Sequence, residues 1–251
     1  MEPQVLLSLA SAAPDPEARQ EAAKALREMP GGTDKLYQPI QDALRGGRYD
    51  EVVQLIGSDT PFLRDDVNLY WWRGAARHSL KQYRDALADL DQAIALTDCD
   101  ALVHRIRADV LANLNRLPEA LAAAEKAAEI EPGEADNHFL VGWWAYRTNE
   151  LEKSVAADRR ALELDPKLPM AEFNLGLALL ASGQSAEATD AYNRGIVLCA
   201  ELDQQTALAN LDGAWRDLDA TVLERPQFAA RAEEAKSRLE EAREARLHLN
   251  Q

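Results

Sequence analysis

The fold is decided by residues 67–100, which read VNLYWWRGAARHSLKQYRDALADLDQAIALTDCD, and by three segments of the same 34-residue pattern that follow without a gap. These segments are ALVHRIRADVLANLNRLPEALAAAEKAAEIEPGE (101–134), ADNHFLVGWWAYRTNELEKSVAADRRALELDPKL (135–168) and PMAEFNLGLALLASGQSAEATDAYNRGIVLCAEL (169–202). Small side chains recur at the eighth place (Gly74, Ala108, Gly142, Gly176), the twentieth (Ala86, Ala120, Ser154, Ala188) and the twenty-seventh (Ala93, Ala127, Ala161, Gly195). Because small side chains let two backbones approach closely, this period predicts repeated pairs of packed helices.

The turn inside each segment supports the same register. When the register is extended back to Thr33, the fifteenth place holds Gly47, Lys81, Asn115, Asn149 and Gly183. Glycine and asparagine tolerate the left-handed conformation in which helices commonly end, so only Lys81 departs from the expectation. Each segment is therefore predicted to form a first helix, called helix A, then a tight turn and a second helix, called helix B.

This 34-residue helix–turn–helix period resembles the tetratricopeptide repeat family. Members carry an aromatic residue or Leu at the twenty-fourth place, here Leu90 and Tyr192, and Pro at the thirty-second, here Pro132 and Pro166. The departures are Ala124, Asp158, Asp98 and Ala200. The resemblance implies an all-α, right-handed superhelical solenoid of antiparallel helix pairs with helical caps. It also implies a concave wall that binds an extended or helical peptide.

The register and its breaks predict the organisation of the chain. We expect N-terminal capping helices at 1–32, a degenerate repeat at 33–66, four repeats at 67–100, 101–134, 135–168 and 169–202, and C-terminal capping helices at 203–251. Near the C-terminus one helical seam contains Phe228, Ala232, Ala235, Leu239 and Ala242. The seam either caps the last repeat, which it would reach through Trp215, or pairs with a second chain as a coiled coil.

Composition excludes several classes of function. The formal net charge of −15 disfavours nucleic acid and anionic membranes, which both need a basic surface. No apolar run approaches the ~18 residues of a membrane span, and the run at 5–13 lacks the preceding basic residues of a signal peptide. Cys99 and Cys199 close helices three repeats apart, so no disulfide is expected and a cytoplasmic location is predicted.

No catalytic, cofactor or metal motif is present in the sequence, so we predict no enzymatic activity, no cofactor and no metal site. His104 and His138 share the fourth place of helix A, but neighbouring helices stand ~8–10 Å apart, too far for both to bind one metal ion readily. They are expected to lie in helix interfaces.

The binding hypothesis rests on the side of helix A that packing does not need. At 100° per residue, the second, fifth, ninth, twelfth and thirteenth places lie opposite the packing side, and we call them the A-helix wall. Aromatic and Arg side chains in a partly desolvated groove are typical anchors for a protein partner. The partner-binding residues predicted from these places are Tyr37, Trp71, His78, Arg105, Asp109, Asn113, Phe139, Trp143, Tyr146, Arg147 and Phe173.

The expected function is a non-enzymatic interaction module that binds a protein or peptide with apolar anchors. The alternative is a self-associating scaffold, a homo-oligomer that assembles through the helix at 226–249. Terminal helices that fold back over the A-helix wall would remove the binding surface. Family members that hold the C-terminal carboxylate of heat-shock chaperones need Lys, Asn and Arg at set places. This chain instead has Trp71, Ala75, Ile106, Asp136 and Leu140, or Arg105, Asp109, Leu140, Met170 and Asn174. A chaperone carboxylate partner is therefore not expected.

Overall fold

The computed structural model describes residues 18, 21, 22, 24, 25, 28, 34–57, 66–97 and 100–248. The described segments from 34 onward are helical apart from short turns. The helices are α1 (Asp34–Arg45), α2 (Tyr49–Leu55), α3 (Val67–Ser79), α4 (Tyr83–Leu96), α5 (Ala101–Asn113), α6 (Leu117–Ile130), α7 (Ala135–Arg147), α8 (Leu151–Leu164), α9 (Pro169–Ala181), α10 (Ser185–Ala200), α11 (Gln204–Glu224) and α12 (Ala229–His248). A short 3-10 helix, Pro226–Phe228, lies between the last two. The all-α fold class is confirmed.

The chain forms two compact units, Met1–Arg116 and Leu117–Gln251. In the first unit a core around Ile40, Val52, Leu69 and Trp72 joins α1, α2 and α3. Ala22 is buried in the same core, while most of the predicted N-terminal caps at 1–32 lie outside the described residues.

A buried ion cluster lies beside this core. Arg73 donates two hydrogen bonds to the carboxylate of Asp89, at 2.9 and 2.7 Å, and a third to the backbone oxygen of Ile56 at 2.9 Å. Arg77 donates to the same carboxylate at 2.7 Å. The cluster links α3 to α4 and to the end of α2, and paired, hydrogen-bonded charges are the form in which ions tolerate burial.

The turns between helices A and B all use one left-handed residue. The φ angles are 65° at Gly47, 60° at Lys81, 60° at Asn115, 66° at Asn149 and 87° at Gly183. After Lys81, the backbone N–H of Gln82 donates to the oxygen of Arg77 at 2.8 Å, as in a Schellman motif. Lys81 therefore adopts the same turn as the glycines and asparagines, although its side chain disfavours that conformation.

Small residues at the eighth place allow the close approach that the sequence predicts. A Cβ atom built on Gly176 would lie 2.8 Å from ring atoms of Tyr192, and one on Gly74 would lie 3.0 Å from Leu90. Both partners lie in helix B, at the twenty-fourth place of their repeat. The side chain at this place therefore packs directly over the glycine in α3/α4 and α9/α10.

The second unit is built around α9, in which every residue from Ala171 to Leu180 is buried. Helices α7, α8, α10 and α11 surround it. The C-terminal helices α11 and α12 pack on each other and on α10. Ala232, Ala235 and Leu239 are fully or almost fully buried there, so the predicted seam forms a cap within the chain.

One buried polar cluster replaces the usual apolar contact between helices A and B. Asp158 lies in α8, at the twenty-fourth place of its repeat, and is 0% exposed. Its carboxyl group accepts hydrogen bonds from the Asn174 amide at 2.8 and 2.9 Å and from Ser154 at 3.4 Å. Gly142 makes the space, because a Cβ atom there would lie 2.2 Å from the Asp158 Oδ1 atom. Burial raises the pKa of Asp158 well above its ordinary value, and the hydrogen bonds from Asn174 and Ser154 only oppose this rise.

The left-handed turn at Lys81 predicts a stabilising substitution. Lys81→Gly should raise the stability by about 1 kcal/mol, because a non-glycine residue in this conformation costs about 1–2 kcal/mol. The melting temperature of the full chain should rise by about 2–4 °C in differential scanning calorimetry. Gly183→Ala, at the equivalent turn, should lower it. A lower melting temperature for Lys81→Gly would contradict this reading of the turn.

Asp158 predicts a pH-dependent stability. The unfolded chain ionises this carboxyl near 3.8, whereas the raised folded-state pKa keeps it protonated to higher pH. Its contribution is therefore fully present below 3.8 and is lost as pH rises through the folded-state pKa. Asp158→Asn should gain stability relative to the native chain as pH rises from 4 to 8, measured by urea unfolding. A difference between the two chains that stays constant over this range would refute the assignment.

Candidate partner-binding surface

In the first unit, Tyr37 and Trp71 lie beside the core. The Tyr37 ring contacts the Trp72 ring edge-on at 5.1 Å, and its hydroxyl group donates a hydrogen bond to Asp66. The Trp71 ring lies 6.0 Å from that of Trp72, and its indole N–H donates to the Asn68 side chain at 3.4 Å. Both predicted wall residues are half-buried, so each combines a packing contact with some accessible surface.

The other predicted residues of the first unit form a polar group on α3 and α5. Asp109 is half-buried, and burial raises the pKa of its carboxyl group against the opposing charges of His78 and Arg105. The His78 ring also lies 5.9 Å from that of Tyr83. Asn113 is exposed and donates a hydrogen bond to the backbone oxygen of Asp109 at 2.8 Å. The structure thus brings His78, Arg105 and Asp109 together.

In the second unit, α7 carries a stripe of accessible wall residues. Phe139, Trp143 and Arg147 are four residues apart and share one face of the helix. Phe139 and Trp143 are half-buried, and Arg147 is exposed. The Arg147 guanidinium group lies 5.6 Å from the centre of the Trp143 ring, within the range of a cation–π interaction. We call these three residues the α7 stripe.

Phe173 was predicted to face a partner, but it is a packing residue, 3% exposed. A Cβ atom on Gly195 would lie 2.5 Å from its ring, so the ring fills space that the glycine leaves at the twenty-seventh place. The other copies have Ala there. The ring also lies 6.1 Å from Tyr192. The fifth place borders both faces of helix A, and the loss of one methyl group turns Phe173 inward.

Tyr146 was predicted on the same wall and is also covered, at 5% exposed. Its hydroxyl group is hydrogen-bonded to Thr221 of α11 at 2.6 Å, and the guanidinium group of Arg225 lies 5.8 Å from its ring centre. Burial raises the pKa of Tyr146, opposed by that hydrogen bond and by the charge of Arg225. The C-terminal cap therefore covers this end of the wall, as the alternative reading of the sequence allowed.

The sequence could have predicted the burial of Phe173 together with the rest of α9. Helix α9, PMAEFNLGLALLA, is apolar around most of its circumference, which predicts burial on all sides. No sequence pattern predicts the contacts of Thr221 and Arg225 with Tyr146. Both residues follow the last repeat, and only the path of α11 brings them to α7.

The two histidines singled out in the sequence, His104 and His138, lie in contact with other parts of the chain. His138 contacts the backbone oxygen of Pro132 at 2.9 Å, and His104 is buried. In the described part of the chain, no cluster of three or more His, Cys, Asp or Glu side chains could hold a metal ion. Cys199 is a free, buried thiol whose pKa rises to about 11 through burial. Among the described helices, none has the length and hydropathy that a membrane crossing needs.

Comparisons with known proteins show which fold these helix pairs adopt. No protein-family model matches the chain, and no curated protein matches it in sequence. A crystal structure of MamA matches with a TM-score of 0.59 at 17% identity, covering 63% of this chain and 93% of MamA. MamA from Desulfovibrio magneticus RS-1, from residue 41 to its end, matches with a TM-score of 0.62 at 20% identity, covering 68% of this chain and 96% of that one.

A third structure carries the name of the repeat. YrrB, described as a TPR protein with an unusual peptide-binding site, matches with a TM-score of 0.52 at 17% identity over 78% of this chain and 91% of its own. At these identities the likeness concerns the fold. Together with the 34-residue register, it confirms the resemblance found in the sequence: this chain has the tetratricopeptide-repeat fold.

Proposed function

We propose that this chain is a non-enzymatic interaction module that binds a protein partner, as a peptide or a helix, through accessible wall residues. The repeats at 67–202 supply the contacts and the C-terminal helices at 203–251 act as a cap. In the first unit the contacts come from Trp71 and the group of His78, Arg105, Asp109 and Asn113, beside Tyr37. In the second unit they come from the α7 stripe. Tyr146 and Phe173 are buried and take no direct part in binding.

The observation that carries this proposal is the α7 stripe itself. Two aromatic side chains and a guanidinium group occupy one helix face; Trp143 packs against the edge of the second unit's core but is only half-buried, and Arg147 is exposed. Trp and Arg side chains are among the residues that most often dominate the binding energy of protein interfaces. YrrB, which shares the fold, is described as having a peptide-binding site. A cytoplasmic location is proposed as well, because the reducing cytoplasm keeps thiols such as that of Cys199 free.

The alternative of self-association through the C-terminal helix has less support. The apolar side chains that would form an intermolecular seam are Ala232, Ala235 and Leu239, and all three are buried against the chain's own helices. A coiled coil through this seam would first require α12 to leave the cap.

The proposal is tested by selecting peptides from a phage-displayed random 12-residue library on the immobilised full chain. Synthetic copies of the enriched peptides are then titrated by fluorescence anisotropy. Trp143→Ala should weaken binding by about 30-fold, because truncation of an interfacial hot spot typically costs about 2 kcal/mol or more. The circular dichroism spectrum should be unchanged, since Trp143 is only half-buried.

The matched control is Val197→Ala, which removes an exposed apolar side chain from α10, away from the A-helix wall. This variant should bind the peptides as the native chain does. Failure to enrich any peptide, or equal binding by Trp143→Ala and the native chain, would overturn the proposed function.

A further inference from the structure

We propose that the end of the α7 stripe is a carboxylate-binding site, formed by Arg147 of α7 and Arg225 of the C-terminal cap. The site would hold an acidic side chain of the partner peptide next to an apolar anchor on Trp143. This inference rests on the proposed function, whose partner it specifies. It also gives the C-terminal cap a part in recognition, since one of the two arginines follows α11.

Two stacked aromatic rings form the base of the site. The rings of Trp143 and Tyr146 lie 6.2 Å apart at an interplanar angle of 30°. Arg147 lies over the first ring, at 5.6 Å, and Arg225 over the second, at 5.8 Å. Both guanidinium charges act on the Tyr146 hydroxyl group, where each lowers its pKa against the effect of burial. The two guanidinium groups therefore flank the Trp143–Tyr146 ring pair, one beside each ring.

The donors of both guanidinium groups remain available. Within the described part of the chain, neither Arg147 nor Arg225 donates a side-chain hydrogen bond or forms an ion pair; each contacts an aromatic ring. Five other arginines of the second unit are paired with carboxylates, whereas Arg216 and Arg246 donate hydrogen bonds to backbone oxygens. The pairs are Arg159–Glu187, Arg160–Glu163, Arg194–Glu172, Arg238–Glu234 and Arg243–Asp212. In a chain of net charge −15, no carboxylate among the described residues forms an ion pair with either of these two arginines.

The acidic groups nearby limit which anion fits. Asp217 is half-buried with its pKa raised by burial, opposed by the charges of Arg216 and Arg147. Glu224 acts on Tyr146 from the end of α11. These two carboxylates place negative charge near the site, and Asp217 interacts electrostatically with Arg147, but neither forms an ion pair or a hydrogen bond with Arg147 or Arg225. The site is therefore better matched to the single charge of a carboxylate than to a phosphate group, which carries about −1.5 to −2 at pH 7.

The planar guanidinium group suits this ligand. Its N–H groups match the two oxygens of a carboxylate, and stacking on an aromatic ring fixes the plane before the ligand arrives. A preorganised donor loses less conformational entropy on binding than a mobile Lys side chain. We therefore expect partner peptides that carry Asp or Glu close to an aromatic or aliphatic anchor.

The test uses synthetic peptides selected on the full chain whose binding depends on Trp143. Each acidic residue is replaced in turn by its amide. On the native chain the amide at the critical position should weaken binding by about 10-fold or more, the effect of a lost charge-assisted hydrogen bond. On the double variant Arg147→Gln/Arg225→Gln the same replacement should change binding less than about 2-fold, because the interacting pair is already broken.

Two controls separate this site from general electrostatics. Arg160→Gln removes an exposed arginine of α8 that pairs with Glu163, and it should leave the acid preference intact. Arg147→Lys/Arg225→Lys keeps both charges but loses the planar donors, and it should lose part of the preference. Melting temperatures close to the native value show that the variants fold.

The outcomes are distinguishable. Peptides that depend on Trp143 but bind equally well as amides would overturn the carboxylate site and leave the proposed function standing. A phosphoserine peptide that binds more than about 10-fold tighter than its Glu counterpart would assign the site to phosphate instead. The absence of any peptide that depends on Trp143 would overturn both.

Discussion

The structure depends on the close approach of two helices at one place in each repeat. In three of the repeats a glycine in helix A (Gly74, Gly142 or Gly176) lies directly beneath the helix-B side chain at the twenty-fourth place of the repeat, and a methyl group on Gly176 would already collide with Tyr192. Where the contacting side chain is Asp158 rather than an aromatic, Gly142 still provides the space, and hydrogen bonds from Asn174 and Ser154 replace apolar packing. This constraint fixes which face of helix A turns inward and therefore which residues remain for a partner.

The same constraint divides the predicted binding residues. On α7, Trp143 is half-buried against the core and Arg147 is exposed, so both keep accessible surface. On α9, Gly195 lets Phe173 turn into the helix pair, and the C-terminal cap covers the remaining wall. The second unit therefore presents one accessible stripe rather than two, and that stripe ends where the cap brings Arg225 beside Tyr146.

Much of the fold follows from local rules, but the binding surface depends on distant residues. The A helices begin at Val67, Ala101, Ala135 and Pro169, and the left-handed turns recur in the expected register, because both depend on short-range backbone preferences. Even Lys81 adopts that turn, since its neighbours fix the backbone more strongly than its own preference does. The burial of Phe173 depends on a residue 22 positions away, and that of Tyr146 on Thr221, 75 positions away. Helical angles alone cannot locate such contacts.

A partner peptide is proposed to lie on the α7 stripe. A crystal structure of the full chain with a selected peptide tests it most directly. We expect peptide density against Phe139 and Trp143, with an acidic side chain between Arg147 and Arg225. Density on the outer faces of the B helices, with the α7 stripe left open to solvent, would contradict it.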